Sequence, residues 1–371
     1  MELSNEDNLR LNVLMHQNLQ AIRIDESKML VYALTEKGEA KVVLKPNCRD
    51  EKYLRLVREM FSTHALGSPG GYPVYLRRWT RMGEMREGSL QGLLLLGESE
   101  AVVAVANSPE LSEEIAKRVW WAMPDADIAR RMLRQPKIKG SEIGKELAAY
   151  LVDYLPFESE ANNIVESVRL VLQPGLVDEL TINSLWSRAG RKSAYYIGFL
   201  LATPNDLPEQ APENPLYQTI QNELVSESDN IFARLIVRLL SPEGQSFLNT
   251  LLNTMDRLSD QHVTVLFLKA VQNYFKVLLV DSQAEQRDFA NIEETVNQMM
   301  NESSSDDLKQ VVAKGENYKS WVESMLTLSL VGESLVDPIF SQTDAVGSVM
   351  RRRLQPVTEP IMSHIQRFLS H

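Results

Sequence analysis

The eleven residues from Glu114 to Pro124 read Glu-Ile-Ala-Lys-Arg-Val-Trp-Trp-Ala-Met-Pro, and thirty-two positions later Glu146 to Pro156 reads Glu-Leu-Ala-Ala-Tyr-Leu-Val-Asp-Tyr-Leu-Pro. The glutamate, alanine and proline recur, and the apolar positions match. A period of about 30 to 45 residues built from a helix, a break and a second helix is the sequence mark of stacked helical units. A further segment from Glu179 to Gly190 keeps Glu-Leu and a Leu-Trp pair but lacks the terminal proline, so the repeat has drifted. Scaffolds of this kind more often bind than catalyse, and function must be sought in their sites.

Around the repeat, the hydrophobic pattern changes twice. A short helix is expected from Leu3 to Gln17 with Ser4 as its N-cap. Ile22 and Ile24, Met29 to Leu34, and Ala40 to Leu44 are three short β-favouring runs separated by turn residues, which predicts an antiparallel meander. Such a meander cannot bury a core alone and must lean on helices, including one expected from Asp50 to Ala65. Beyond it, Pro109, Pro124, Pro136, Pro156, Pro174 and Pro204 punctuate amphipathic helical segments. Residues 203 to 230 hold four prolines and six acidic residues with no lysine or arginine, the composition of a linker. Five helices then follow, at Ile231 to Leu240, Gly244 to Leu258, His262 to Val280, Glu285 to Met300 and Asp306 to Val331. A final basic helix from Val349 to Ser370 is expected to break or kink near Pro356 and Pro360.

The expected architecture is therefore mainly α: a short N-terminal antiparallel β-meander, stacked helical hairpins and a C-terminal helical bundle. The expected regions are 1–66 with the meander, 67–202 with the hairpin repeats, 203–230 as linker and 231–371 as bundle.

Composition narrows the function classes. With 44% hydrophobic and 24% charged residues among 371, the chain has enough apolar material for a folded core. A formal charge of −11 disfavours a generic binder of nucleic acid or anionic membrane, although a local basic patch would still serve. The first residues lack the basic flank and apolar stretch of a secretory signal, so a cytoplasmic location is expected. Val263 to Val280 is interrupted by Lys269, Asn273 and Lys276, so no membrane insertion is expected.

The catalytic motifs fail one by one. Gly140-Ser-Glu-Ile-Gly-Lys-Glu has one intervening residue too few for a phosphate-binding loop and lacks its Ser or Thr. The Gly67 segment does not carry a dinucleotide fingerprint. The five histidines include no pair at helical spacing, and Arg130 stands where a calcium loop starting at Asp125 needs glycine. Gly97-Glu-Ser-Glu-Ala lacks the second glycine of a nucleophile elbow. A single cysteine, Cys48, excludes an internal disulfide and a cysteine-held cluster. No cofactor and no metal are expected. Arg49, Lys45 and Lys52 near Cys48 would favour a thiolate while Asp50 and Glu51 oppose it, leaving an inert or a reactive thiol open.

Binding candidates are more numerous. Tyr72, Tyr75, Arg77, Arg78, Trp79 and Arg81 gather after the glycine loop, where arginine forks and aromatic rings suit an internal cation-π brace, a protein-binding surface or a nucleic-acid contact. Trp120 and Trp121 are adjacent and so lie about 100° apart on a helix. One packs while the other reaches the neighbouring repeat. Arg188, Arg191 and Lys192 ahead of Tyr195 and Tyr196, and Arg351, Arg352 and Arg353, are either solvated faces or, if they converge, a binding stripe.

Several strings resemble one family. Met1-Glu-Leu-Ser-Asn-Glu-Asp-Asn-Leu-Arg-Leu-Asn-Val-Leu, Ala21-Ile-Arg-Ile-Asp-Glu-Ser, Leu66-Gly-Ser-Pro-Gly-Gly-Tyr-Pro-Val-Tyr-Leu-Arg-Arg-Trp-Thr-Arg-Met-Gly, Trp120-Trp-Ala-Met-Pro and Arg169-Leu-Val-Leu-Gln-Pro-Gly-Leu look like the sulfur reduction protein DsrS family. The resemblance runs to about Leu207. It implies an accessory or regulatory protein of cytoplasmic dissimilatory sulfur oxidation with no established catalytic residues. The expected function is thus non-catalytic, by binding a protein partner of that system. Two alternatives stand beside it: a persulfide carrier using Cys48, and an RNA-binding regulator using residues 72–86.

Overall fold

A computed structural model describes residues 2–74, 87–279, 287–302, 305–342 and 345–369. It is mainly helical with one three-stranded N-terminal sheet. The chain divides into two compact units, 1–154 with 173–177, and 155–172 with 178–371.

The first unit begins with α1 (Asn5–Met15), capped by Ser4, whose hydroxyl accepts Asp7 N at 3.3 Å. Strands β1 (Leu19–Asp25), β2 (Leu30–Thr35) and β3 (Gly38–Val43) follow in the antiparallel order β1-β2-β3. Turn chemistry sets the register. Asp25 accepts Ser27 Oγ and Lys28 N at the first turn, and Thr35 Oγ1 donates to Gly38 O at the second, where Gly38 sits at φ 110°. The strand period of two then sorts the side chains. Ile22 pairs with Ala33 and enters a core with Leu11, Leu14, Tyr53, Val57 and Phe61 from α1 and α2 (Asp50–Leu66). Arg23 pairs with Tyr32 on the opposite face.

The rest of this unit is α3 (Glu87–Leu94), α4 (Ser99–Ala106), α5 (Glu113–Ala122), α6 (Ala126–Leu133) and α7 (Glu142–Tyr154). The two repeated segments coincide with the ends of α5 and α7, and in both the proline stands two residues beyond the last α-helical residue, Pro156 within a 3-10 turn at Leu155–Phe157. That position suits a residue that cannot continue a helix.

The second unit holds α8 (Ala161–Val171), α9 (Glu179–Ala189) and α10 (Ser193–Ala202). Gly198 lets α10 lie directly on α8, since a Cβ there would sit 2.6 Å from Val168 Cβ. Trp186 meets Tyr196 and Phe199 edge to face, closing the α9–α10 hairpin. Next come α11 (Tyr217–Glu223), α12 (Ile231–Leu240), α13 (Pro242–Met255) and α14 (Gln261–Phe275), then α15 (Phe289–Glu302), α16 (Asp306–Val312), α17 (Glu316–Leu330), α18 (Asp337–Phe340) and α19 (Gly347–Gln366). Among the described residues no helix is long and apolar enough to cross a membrane.

Three expectations about boundaries need correction. The hairpin series 67–202 belongs to two units, because the chain passes from one to the other at residue 155. Residues 203–230 are built into the second unit: the buried Asn214 amide donates to Phe368 O at 2.9 Å, Ala211 N donates to Ser246 Oγ at 2.7 Å, and Asn230 caps α12. The turns and the cap there are made by asparagines, Asn214 accepting Leu216 N and Asn230 accepting Phe232 N and Ala233 N, and composition cannot distinguish such a segment from a linker. The expected helix from Asp306 to Val331 is two helices, divided where Gly315 takes φ 142°. Conversely α19 runs through Pro356 and Pro360 as one helix. Pro356 is exposed, so water can satisfy the carbonyl whose amide partner is missing.

Candidate partner-binding site

Trp120 and Trp121 occupy the last turn of α5 and diverge as the helical period requires. Trp121 turns to the sheet. Its indole Nε1 donates to Glu39 Oε2 at 3.0 Å, its carbonyl accepts Arg23 Nη1 at 3.3 Å, and the Arg23 guanidinium carbon lies 5.1 Å from the Trp121 ring and 4.7 Å from that of Tyr32. An ion pair from Arg23 to Glu39 at 3.6 Å completes the cluster. This is a brace between helix and sheet.

Trp120 turns the other way, to the second repeat. Its Nε1 donates to Glu146 Oε1 at 2.9 Å, and its ring meets Tyr150 edge to face at 4.9 Å. Tyr150 stacks on Tyr154 at 6.1 Å with the rings 7° apart. Glu146, Tyr150 and Tyr154 are spaced by four, which places all three on one stripe of α7. The result is a ridge of three rings across two helices. Trp120 and Tyr150 are half-buried and Tyr154 is 38% exposed. Tyr150 hydroxyl donates to Pro124 O at 3.4 Å, and burial, ahead of the charges of Asp125 and Tyr154, pushes its phenol pKa up. It stays a neutral donor at physiological pH.

The other expected site residues have diverse positions. Tyr72 is half-buried, with its backbone N–H donating to Glu98 Oε2 at 2.9 Å. Tyr75, Arg77, Arg78, Trp79 and Arg81 lie outside the described residues. Cys48 is half-buried against the core formed by α1, α2 and the sheet, with its sulfur 3.7 Å from Arg49 O. Among the described residues no group of three or more His, Cys, Asp or Glu side chains could hold a metal ion.

Two basic groups do converge. Arg191, Lys192 and Arg351 line one cavity of the second unit together with Arg257. Arg352 lines an adjoining cavity, and Arg353 is exposed. Tyr150 and Tyr154 were not expected as site residues, although their spacing by four with Glu146 was a readable signal. Arg257 had no such signal. The chain matches no family model, no curated protein and no solved structure.

Proposed function

We propose that this chain is a non-catalytic accessory protein that holds a protein partner on the ridge of Trp120, Tyr150 and Tyr154, and that it serves cytoplasmic sulfur oxidation, as the resemblance implies. The observation that supports this reading is the ridge itself. Three partly exposed aromatic rings held at fixed angles are the kind of surface that dominates protein-protein binding energy. Glu146 holds the Trp120 indole in place, so little side-chain freedom is lost on binding. The pathway rests on the sequence resemblance alone.

The test is an affinity capture from cells oxidising sulfur, comparing the native chain with Trp120→Ala and Tyr154→Ala. Proteins held by the ridge should lose about thirtyfold in affinity with either change, the scale of an aromatic hot spot. An unchanged set of captured proteins would remove the ridge as the binding surface. A sulfur-carrier reading draws on the partial exposure of Cys48. Under it, Cys48→Ser abolishes sulfur oxidation while the protein stays folded; under ours, that variant works normally.

A further inference from the structure

Four cations of the second unit face one cavity of about 460 Å³. Arg191 and Lys192 come from the turn between α9 and α10, Arg257 from the turn between α13 and α14, and Arg351 from α19. Neither sequence nor secondary structure brings these elements together; the packing of the bundle does.

The cations are oriented without being neutralised. Lys192 Nζ donates to Glu158 O at 3.0 Å, Arg257 Nη1 to Gly190 O at 3.0 Å and Arg351 Nη1 to Leu258 O at 3.1 Å. A carbonyl oxygen fixes the direction of a head group and leaves its charge in place. Among the described residues, none of the four forms an ion pair within 4 Å. Two carboxylates, Asp256 and Asp260, also line the wall, which leaves it with two more positive than negative groups in a chain of net charge −11. Asp260 is already engaged, since it accepts Val263 N at 3.0 Å as the cap of α14 and Ser259 Oγ at 2.7 Å.

Backbone adds to the field. Helices α8, α10 and α14 all begin at this cavity, with Ala161, Ser193 and Val263 in its wall. The N-cap residues of α8 and α10 make no side-chain cap bond, which leaves the wall amides of Ala161, Ser193 and Ala194 available to a ligand, while Tyr195 N already donates to Lys192 O and the Glu158 carboxylate accepts Ser159 N and Glu160 N ahead of α8. Convergent helix N-termini with arginine forks are a setting for oxyanions. The turns are also tied to each other, because Ser193 Oγ donates to Arg257 O at 3.2 Å while Arg257 reaches back to Gly190.

We infer that this cavity binds a phosphate-type oxyanion, a tetrahedral phosphate or sulfate group that is free or carried on a small molecule. The guanidinium groups of Arg257 and Arg351 and the ammonium of Lys192 hold its oxygens, and the volume beyond one ion admits the rest of an ester. This site stands independently of the aromatic ridge.

Calorimetric titration of the full chain with inorganic phosphate, sulfate and phosphoserine, against chloride at equal ionic strength, tests it. Binding of one or more oxyanions is expected, weakened about tenfold or more in Arg257→Gln and in Arg351→Gln, the scale of one charge-assisted hydrogen bond. Lys192→Gln, at an exposed position, gives the same reading should the arginine variants fold poorly. Binding of inorganic ions without phosphoserine identifies a free ligand, and the reverse identifies an ester. Heats no larger than those of chloride, or equal affinity in the native chain and the folded variants, would overturn the assignment.

Discussion

Arg23 in the first unit and Arg351 in the second are both half-buried, and both give a guanidinium proton to a backbone carbonyl, Trp121 O at 3.3 Å and Leu258 O at 3.1 Å. From there they differ. Arg23 also has the rings of Tyr32 and Trp121 and the carboxylate of Glu39, so its charge is consumed inside the fold. Arg351 shares a cavity wall with three further cations. An arginine beside an aromatic is a brace when its counter-charge is local, and a recognition group when its neighbours are cations and carbonyls.

The largest test of this contrast acts on the packing beneath the cavity. Gly198→Val would drive side-chain carbon into Val168, and overpacking of this kind should cost about 3 kcal/mol or more, read as a lowered midpoint in chemical denaturation. The turn that carries Arg191 and Lys192 should lose oxyanion binding with it. Unchanged stability would mean that the seam between α8 and α10 is looser than its glycine implies.

The second unit also keeps one basic group neutral. Burial, reinforced by the Arg367 charge, pushes the His364 pKa from 6.5 down to about 4, with its Nδ1 at 3.1 Å from Ser324 Oγ. The folded state therefore binds fewer protons than the unfolded chain between these values. Stability should be full above pH 6.5 and fall as the pH drops toward 4, by on the order of 3 kcal/mol. His364→Gln should flatten this part of the pH profile, and a profile identical to that of the native chain would show that another group carries it.

Smaller effects separate the two tryptophans. Trp121→Ala removes the ring over Arg23 and the bond to Glu39 and should destabilise by about 2 kcal/mol, by analogy with aromatic truncation of partly buried sites. Trp120→Ala should cost about 1 kcal/mol while weakening partner capture by the same factor of about thirty. Equal losses in stability would erase the distinction between brace and ridge. Smallest of all, Arg191→Gln should change stability by less than about 0.5 kcal/mol, because its side chain is exposed. A large loss there would make the cavity wall a structural element.

Local signals in the sequence found most elements. The alternation from Leu30 to Thr35, the turns at Asp25 and Gly38 and the Ser4 cap were readable because each depends on residues a few positions apart. Gly315 was equally local and still divided a segment whose apolar period suggested one helix. The segment 203–230 misled for a different reason. Asn214 and Asn230 look like loop residues in sequence, yet they serve as buried hydrogen-bond partners for Phe368 O and Asp307 O, far away along the chain.

By itself the sequence determined the helix-rich class, the N-terminal meander and the two repeated helix ends, since these follow from periodicity, turn residues and prolines acting over short distances. It also determined that Trp120 and Trp121 face apart, because adjacent helical residues must. Only the tertiary structure decided which tryptophan became the brace, where one unit ends and the next begins, and that Arg257 joins Arg191, Lys192 and Arg351 at one cavity. Those outcomes depend on which distant elements pack together, and charge acts through space, so a cation's role is set by neighbours that the order of residues does not reveal.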